Sequence, residues 1–320
     1  EWVRSYDSAS GSRWGIASHR NRGGGRVHIG YWGMELGRRL LENRKMPICI
    51  INGAAGGTRI DQHQRNHENP EDQGTIYGRL LARVEQARLT HGIRAVLWHQ
   101  GESDQGADGP TGGYGWETYR EYFIDMAAAW KQDYPNLRNY YIFQIWPRSC
   151  SMGVNGSDNT LREVQRKLPS CFSNMGIMST LGIKPPGTCH YPAAGYAEMA
   201  RLICPLVERD VYGKVPAGSI TPPDLVSARY SSAKMDAIRL EFDQPVKWND
   251  SLVTEFYLDG EKGKVASGGV SGKVLTLKLK TPAEAKKITY LDSRWWNENN
   301  LLQGENGIAA LTFCDVPIEK

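Results

Sequence analysis

The sequence predicts an α/β unit, with a parallel sheet covered on both faces by helices, followed by a small all-β domain. Three observations predict it. Between residues 28 and 210, short apolar runs alternate with amphipathic stretches of ten or more residues. Such alternation implies parallel strands joined by crossover helices. A Pro/Gly-rich stretch, Val215-Pro-Ala-Gly-Ser-Ile-Thr-Pro-Pro223, then interrupts the pattern. Beyond it the apolar period drops to two, the signature of half-buried strands. The expected organisation is an α/β domain at residues 1–214 and a β domain at 220–320.

Taken in order, residues 1–28 read as loop because they are rich in Gly, Ser and Arg. A helix is expected over 28–43, where Trp32, Leu36 and Leu40 lie one turn apart, and a strand over 47–51. A helix at 77–91 buries Leu80, Leu81 and Val84, and a strand follows at 94–99. Residues 118–133 carry the clearest helical stripe, Tyr119, Tyr122, Phe123, Met126, Ala127 and Trp130. Strands at 140–146 and 175–180 and a helix at 193–210 complete the unit. In the β domain, strands are expected at 237–242, 254–258, 274–279, 287–291 and 309–313, with turns such as Asp259-Gly260 between them.

The composition narrows the function classes. A net charge of +4, with no run of five Lys or Arg, lacks the concentrated basic stripe of a nucleic-acid binder. No stretch approaches the roughly eighteen uninterrupted apolar residues of a membrane-spanning helix. The six cysteines show neither CxxC nor zinc-ligand spacing, and no cluster of His, Asp and Glu has metal spacing, so no metal or organic cofactor is implied. Cys49, inside an apolar run, is expected as a buried thiol, whereas Cys150, Cys171 and Cys189 sit in loop-like contexts where they either pair or stay free. The chain opens Glu-Trp-Val-Arg with neither an initiator Met nor a leader, as expected of a processed or cropped product.

Ligands of open α/β sheets bind beyond the C-terminal ends of the strands, and three loops there are unusual. Gly53-Ala-Ala-Gly-Gly57 lets backbone N–H groups approach a ligand, or simply makes a tight strand-to-helix turn; it fits neither the dinucleotide fingerprint nor the P-loop. Trp98-His-Gln-Gly-Glu-Ser-Asp104 offers Gln100 as an amide donor to a developing oxyanion and Glu102 as a histidine orienter or helix cap. His99 is expected as a core or edge histidine bonded to backbone. Finally, Pro185-Pro-Gly-Thr-Cys-His-Tyr-Pro192 holds His190 between prolines before a helix, a fitting place for a general base.

Together, Asn52-Gly-Ala-Ala-Gly-Gly-Thr-Arg-Ile60, Trp98-His-Gln-Gly-Glu-Ser-Asp104 and His190-Tyr-Pro-Ala-Ala-Gly-Tyr196 resemble the sialate O-acetylesterase and acetylxylan esterase group of SGNH hydrolases. The segments Lys287-Ile-Thr-Tyr290, Asn299–Leu302 and Gly307–Phe313 resemble the closing strands of the β domain these esterases carry. The resemblance implies that His190 is the catalytic histidine, that Gly56 and Gly57 supply a backbone N–H to the oxyanion, and that Gln100 adds its side chain. Two departures stand out. The family's Gly-Gln-Ser-Asn nucleophile motif is absent, as is a G-x-S-x-G elbow, and Gly187 stands where an Asp often precedes the histidine. The sheet is therefore expected to lack its first strand, with the nucleophile serine upstream of residue 1. His190 is then oriented by Glu102, a backbone carbonyl or another acid.

The expectation is a serine-type carbohydrate O-acetyl esterase, secreted or periplasmic, whose partner is an acetylated carbohydrate rather than nucleic acid or membrane. Residues 1–320 alone are expected to be inactive. A non-catalytic carbohydrate-binding protein on the same fold is the alternative, and a nucleophilic Ser103 is a lesser one.

Overall fold

The computed structural model describes residues 2–8, 12–20, 25–105, 114–151, 155–183 and 190–320. Residues 1–28 are not all loop, because strands run through the described part. They contain β1 (Val3–Asp7), β2 (Arg13–Ser18) and β3 (Arg26–His28). β1 pairs antiparallel with β2, and β2 pairs parallel with β3. The flanking Gly and Ser residues hid two short alternating runs, in which Val3, Ser5 and Tyr6, then Gly15, Ala17 and Ser18, turn inward.

Helix α1 (Tyr31–Arg44) buries Gly33, Leu36, Gly37 and Leu40 along one stripe. β4 (Ile48–Cys49) pairs parallel with β1 and ends the four-stranded order β3-β2-β1-β4. Cys49 is exposed rather than buried, although the groups packed around it still raise its thiol pKa to about 11. In α2 (Ile76–Gln86), the Thr75 hydroxyl accepts the Gly78 N–H at 2.9 Å, and Tyr77, Leu81 and Val84 face inward. β5 (Ala95–Trp98) opens the three-stranded sheet completed by β6 (Asn139–Gln144) and β7 (Met175–Ser179), in the order β5-β6-β7. Between β5 and β6, α3 (Trp116–Asp133) buries the expected Tyr119, Phe123, Met126, Ala127 and Trp130. Each of its larger apolar side chains contributes about 1.5–3 kcal/mol of burial.

The sequence pattern missed α4 (Ser157–Lys167), because its buried face is polar: Asp158, Asn159, Arg162, Gln165 and Arg166, with only Leu161 apolar. α5 (Ala193–Tyr212) ends at Gly213 in a left-handed conformation. The strands that follow are β8 (Leu225–Tyr230), β9 (Ala237–Phe242), β10 (Val246–Lys247), β11 (Phe256–Leu258), β12 (Glu261–Lys262), β13 (Val265–Ser271), β14 (Val274–Leu279), β15 (Lys287–Tyr290), β16 (Gln303–Gly304) and β17 (Phe313–Pro317). They form antiparallel sheets ordered β13-β14-β9-β8, β12-β11-β15-β17 and β10-β16. In the run expected as a strand at 309–313, Ala309 makes an isolated antiparallel bridge with Gln303 and only Phe313 belongs to a strand, β17. Ala310 N–H bonds Leu302 O at 2.8 Å, Leu311 N–H bonds Pro223 O at 3.0 Å, and Thr312 N–H bonds Gln144 Oε1 at 2.9 Å. No helix among the described residues is long and apolar enough to cross a membrane.

The chain groups into two compact units, residues 1–103, 118–141 and 183–216 in the first and 104–117, 142–182 and 217–320 in the second. Within the second, α4 is held by ion pairs and hydrogen bonds rather than grease. Asp158 and Arg162 are fully buried and paired; Arg162 Nε donates to Thr312 Oγ1 at 3.0 Å, and Ser293 Oγ donates to Asp158 Oδ1 at 2.6 Å. Arg166 reaches Asp224 at 2.7 Å and Leu225 O at 3.0 Å. A buried cation stripped of its partner costs far more than an exposed pair does. Asp158→Ala is therefore expected to lower stability by about 3–5 kcal/mol in urea titrations, whereas Glu284→Ala, at an exposed pair with Lys320, should stay within about 0.5 kcal/mol.

Candidate active site

In the first unit, the loop after β4 and the loop after β5 are tied together by one side chain. Gln100 Nε2 donates to Thr58 O at 3.0 Å. Its Oε1 accepts from the Tyr119 hydroxyl at 3.2 Å, a hydroxyl that also faces Gln100 O at 3.0 Å and accepts from Trp98 Nε1 at 3.1 Å. These partners fix the carboxamide's orientation, since the reverse would set a carbonyl oxygen against Thr58 O. Gly101 follows at φ 140°, a conformation that favours glycine and turns the chain sharply between Gln100 and Glu102.

Thr58 is itself braced. Its hydroxyl donates to Ala55 O at 2.7 Å and lies 2.8 Å from His63 Nε2. A hydroxyl has one proton, so His63 must be the donor in that second contact, neutral and protonated at Nε2. Burial agrees, pushing the His63 pKa down to about 4 against a smaller opposing pull from Asp61. The ring stands edge-on to Trp98, with centroids 5.0 Å apart. This brace holds the turn at Gly56–Gly57, which is exposed, with Gly57 at φ 72°. A side chain is strained at Gly57, whereas a Cβ at Gly56 would meet nothing within 4 Å, so the backbone there faces open space.

The third loop meets the second through aromatic rings. His99 lies 6.0 Å from Tyr191, Tyr191 stands edge-on to Tyr196 at 5.6 Å, and Tyr196 stacks on Tyr31 at 6.1 Å. Arg20 Nε donates to the Tyr31 hydroxyl at 2.7 Å. His190 precedes Tyr191 and is exposed, two residues before the Pro192 cap of α5. Its ring makes no hydrogen bond with a described residue. Glu102 Oε1 lies instead 3.2 Å from His99 Nε2, close enough to pair with a protonated ring though not aligned as a hydrogen bond. Burial raises the Tyr196 pKa, and the Glu102 charge adds to that rise against a bond from the Tyr191 backbone, so the carboxylate lies within electrostatic reach of α5's first turn. The structure thus brings Gly57, Gln100, Glu102 and the segment beginning at His190 into linked positions. The Gly187 position and Cys189 lie outside the described residues.

Residues 19–204 match the family described as carbohydrate esterase, sialic acid-specific acetylesterase. The chain belongs to that family. Among solved structures, this chain resembles a carbohydrate acetylesterase from Xanthomonas citri with a TM-score of 0.76 at 16% identity, over 98% of this chain and 73% of the other. At that identity the likeness speaks for the fold. Among curated proteins, a probable carbohydrate esterase of Arabidopsis thaliana is 38% identical over 65 residues, a match spanning 20% of this chain and 22% of that relative.

Motif reading singled out neither His63 nor Thr58 nor the hydroxyl of Tyr119. His63 signalled nothing, since its role depends on a turn five residues away, and Tyr119 was legible only as part of an apolar stripe. The brace predicts a pH response. His63 has its folded pKa below the ordinary 6.5, so the unfolded chain takes up the proton first, and stability present above pH 6.5 is lost as pH falls toward 4. The loss is about 3 kcal/mol. Chemical denaturation at pH 7 and pH 4.5 should show it in the wild type, with His63→Gln removing that part of the slope.

Proposed function

We propose that this chain is the greater part of a serine-type carbohydrate O-acetyl esterase of the SGNH kind, with an α/β domain at residues 1–214 and a β domain at 220–320. The observation that carries the reading is the hydrogen bond from Gln100 to Thr58, which brings the amide side chain to the loop of Gly56 and Gly57. In this reading a serine hydroxyl, its proton taken by His190, attacks the acetyl carbonyl. Gly57 N–H and Gln100 Nε2 hold the resulting oxyanion, each donor being worth about 2.7–4 kcal/mol of barrier. The intermediate collapses as His190 returns the proton to the sugar oxygen; water, deprotonated by the same ring, then frees acetate and the serine. Glu102 supplies the acidic partner, its carboxylate set beside His99 and the first turn of α5.

The serine is proposed to lie upstream of residue 1, because no serine of residues 1–320 sits in the family's nucleophile motif. Two sheet edges support that placement. Among the described residues β4 and β5 each end a sheet, Cys49 is exposed, and all four residues Ala95–Trp98 are only partly buried despite their apolar character. Exposed apolar edges invite another strand. The loops that follow these two edges are already joined at Thr58–Gln100, where a serine carried on such a strand would be delivered. The disulfide at Cys150 fits an exported protein.

The expected substrate is a sugar bearing an acetyl ester. With its natural upstream segment the protein should release acetate from acetylated sugars. His190→Ala should lower the rate by about 10²–10⁴-fold and Gln100→Ala by about 10²–10³-fold. Full activity in His190→Ala would refute the assignment. No release by the intact protein would favour the alternative of a carbohydrate-binding protein on an esterase fold, which the free ring of His190 among the described residues also suits.

A further inference from the structure

The second unit carries an open, solvent-facing depression of about 510 Å³ that the esterase chemistry does not use, lined by Trp146, Pro147, Arg148 and the turn Ser293–Trp296. Its openness suits a surface-bound sugar ring rather than an engulfed ligand. Its aromatic wall is built. Trp146 is buried and meets Trp296 edge-on at 5.1 Å, while Trp295 leaves 62% of its surface open to solvent. Its two cations differ. Arg294 is neutralised by Asp292, with Nε at 3.0 Å from Oδ1. Arg148 is exposed and has no ion pair among the described residues. Arg148 also holds a left-handed backbone at φ 52°, which costs free energy in a non-glycine residue.

One buried carboxylate holds both walls. Asp158 Oδ2 accepts Arg148 N–H at 3.2 Å and Asp158 Oδ1 accepts Ser293 Oγ–H at 2.6 Å. Asp158 is fully buried and its charge is balanced by Arg162, so it contributes position rather than negative potential to the cavity. What the pocket offers a ligand, among the described residues, is a pair of indole surfaces and a single unbalanced guanidinium. The planar fork of a guanidinium matches a carboxylate bidentately, and indole faces take the apolar face of a sugar ring.

We propose that this pocket is a binding site for a carboxylated sugar, a uronic-acid type residue, with the carboxylate on Arg148 and the ring on Trp295 and Trp296. The ligand needs no acetyl ester, so the site is tested separately from hydrolysis, and failure of one leaves the other standing.

The experiment titrates the protein with methyl glucuronoside and methyl glucoside, which differ only at C6, and follows calorimetry and Trp fluorescence. The glucuronoside should bind at least about tenfold more tightly than the glucoside. Arg148→Gln should erase that difference while leaving glucoside binding within about twofold, Arg148→Lys should restore part of it, and Trp295→Ala should weaken both ligands. Near-UV circular dichroism of each variant checks that the fold is kept; both side chains are exposed, so their loss should not unfold it. Equal affinity for the two sugars in the wild type would overturn carboxylate recognition, and binding of neither would overturn the site.

Discussion

The carboxamide of Gln100 is the constraint on which the candidate site depends. It bonds Thr58 O on one loop and is held by the Tyr119 hydroxyl of α3, which is in turn fixed by the indole N–H of Trp98. Three elements are therefore coupled through one amide. Because every group in this chain is at least partly buried, each has a partner or would cost one or more kcal/mol unmet. Neutral His63 extends the same chain to the glycine turn, so the backbone at Gly56 and Gly57 is presented by hydrogen bonds made several residues away. Pre-set donors of this kind need no reorganisation when charge develops beside them.

The second unit solves a packing problem by a different route. Its helix α4 turns a polar stripe inward and satisfies it, with Arg162, Arg166, Gln165 and Asp158 each bonded to strand or loop atoms. Such networks are favourable only when complete, since half-satisfied ones cost more than an apolar face would. The same network takes up the backbone of Thr312, which Gln144 bonds through both its amide N–H and its carbonyl.

Much of the α/β pattern was legible because its helices bury apolar stripes: Tyr119 to Trp130 and Leu36 to Leu40 announce themselves at helical spacing. α4 did not, since Asp158, Arg162 and Gln165 repeat at that same spacing in residues normally read as solvent-facing. The first strands were hidden for a local reason, as the Gly and Ser residues that flank Val3–Asp7 and Arg13–Ser18 outweighed two short alternations. Cys49 was misread because an apolar neighbourhood in sequence was taken for burial, while β4 is an edge. The loops of Gly57, Gln100 and His190 stood out by composition and motif, yet what couples them did not. A hydrogen bond between Gln100 and Thr58, forty-two residues apart, leaves no mark on either residue's neighbours in the chain.

Under the proposed function, residues 1–320 would hold the base and the oxyanion donors of a serine esterase but not its nucleophile. Fluorophosphonate labelling of the protein with its upstream segment, followed by peptide mapping, tests this most directly. The expected result is one labelled serine, upstream of residue 1, with labelling lost in His190→Ala. A label on Ser103, or on any other serine of residues 1–320, would contradict it.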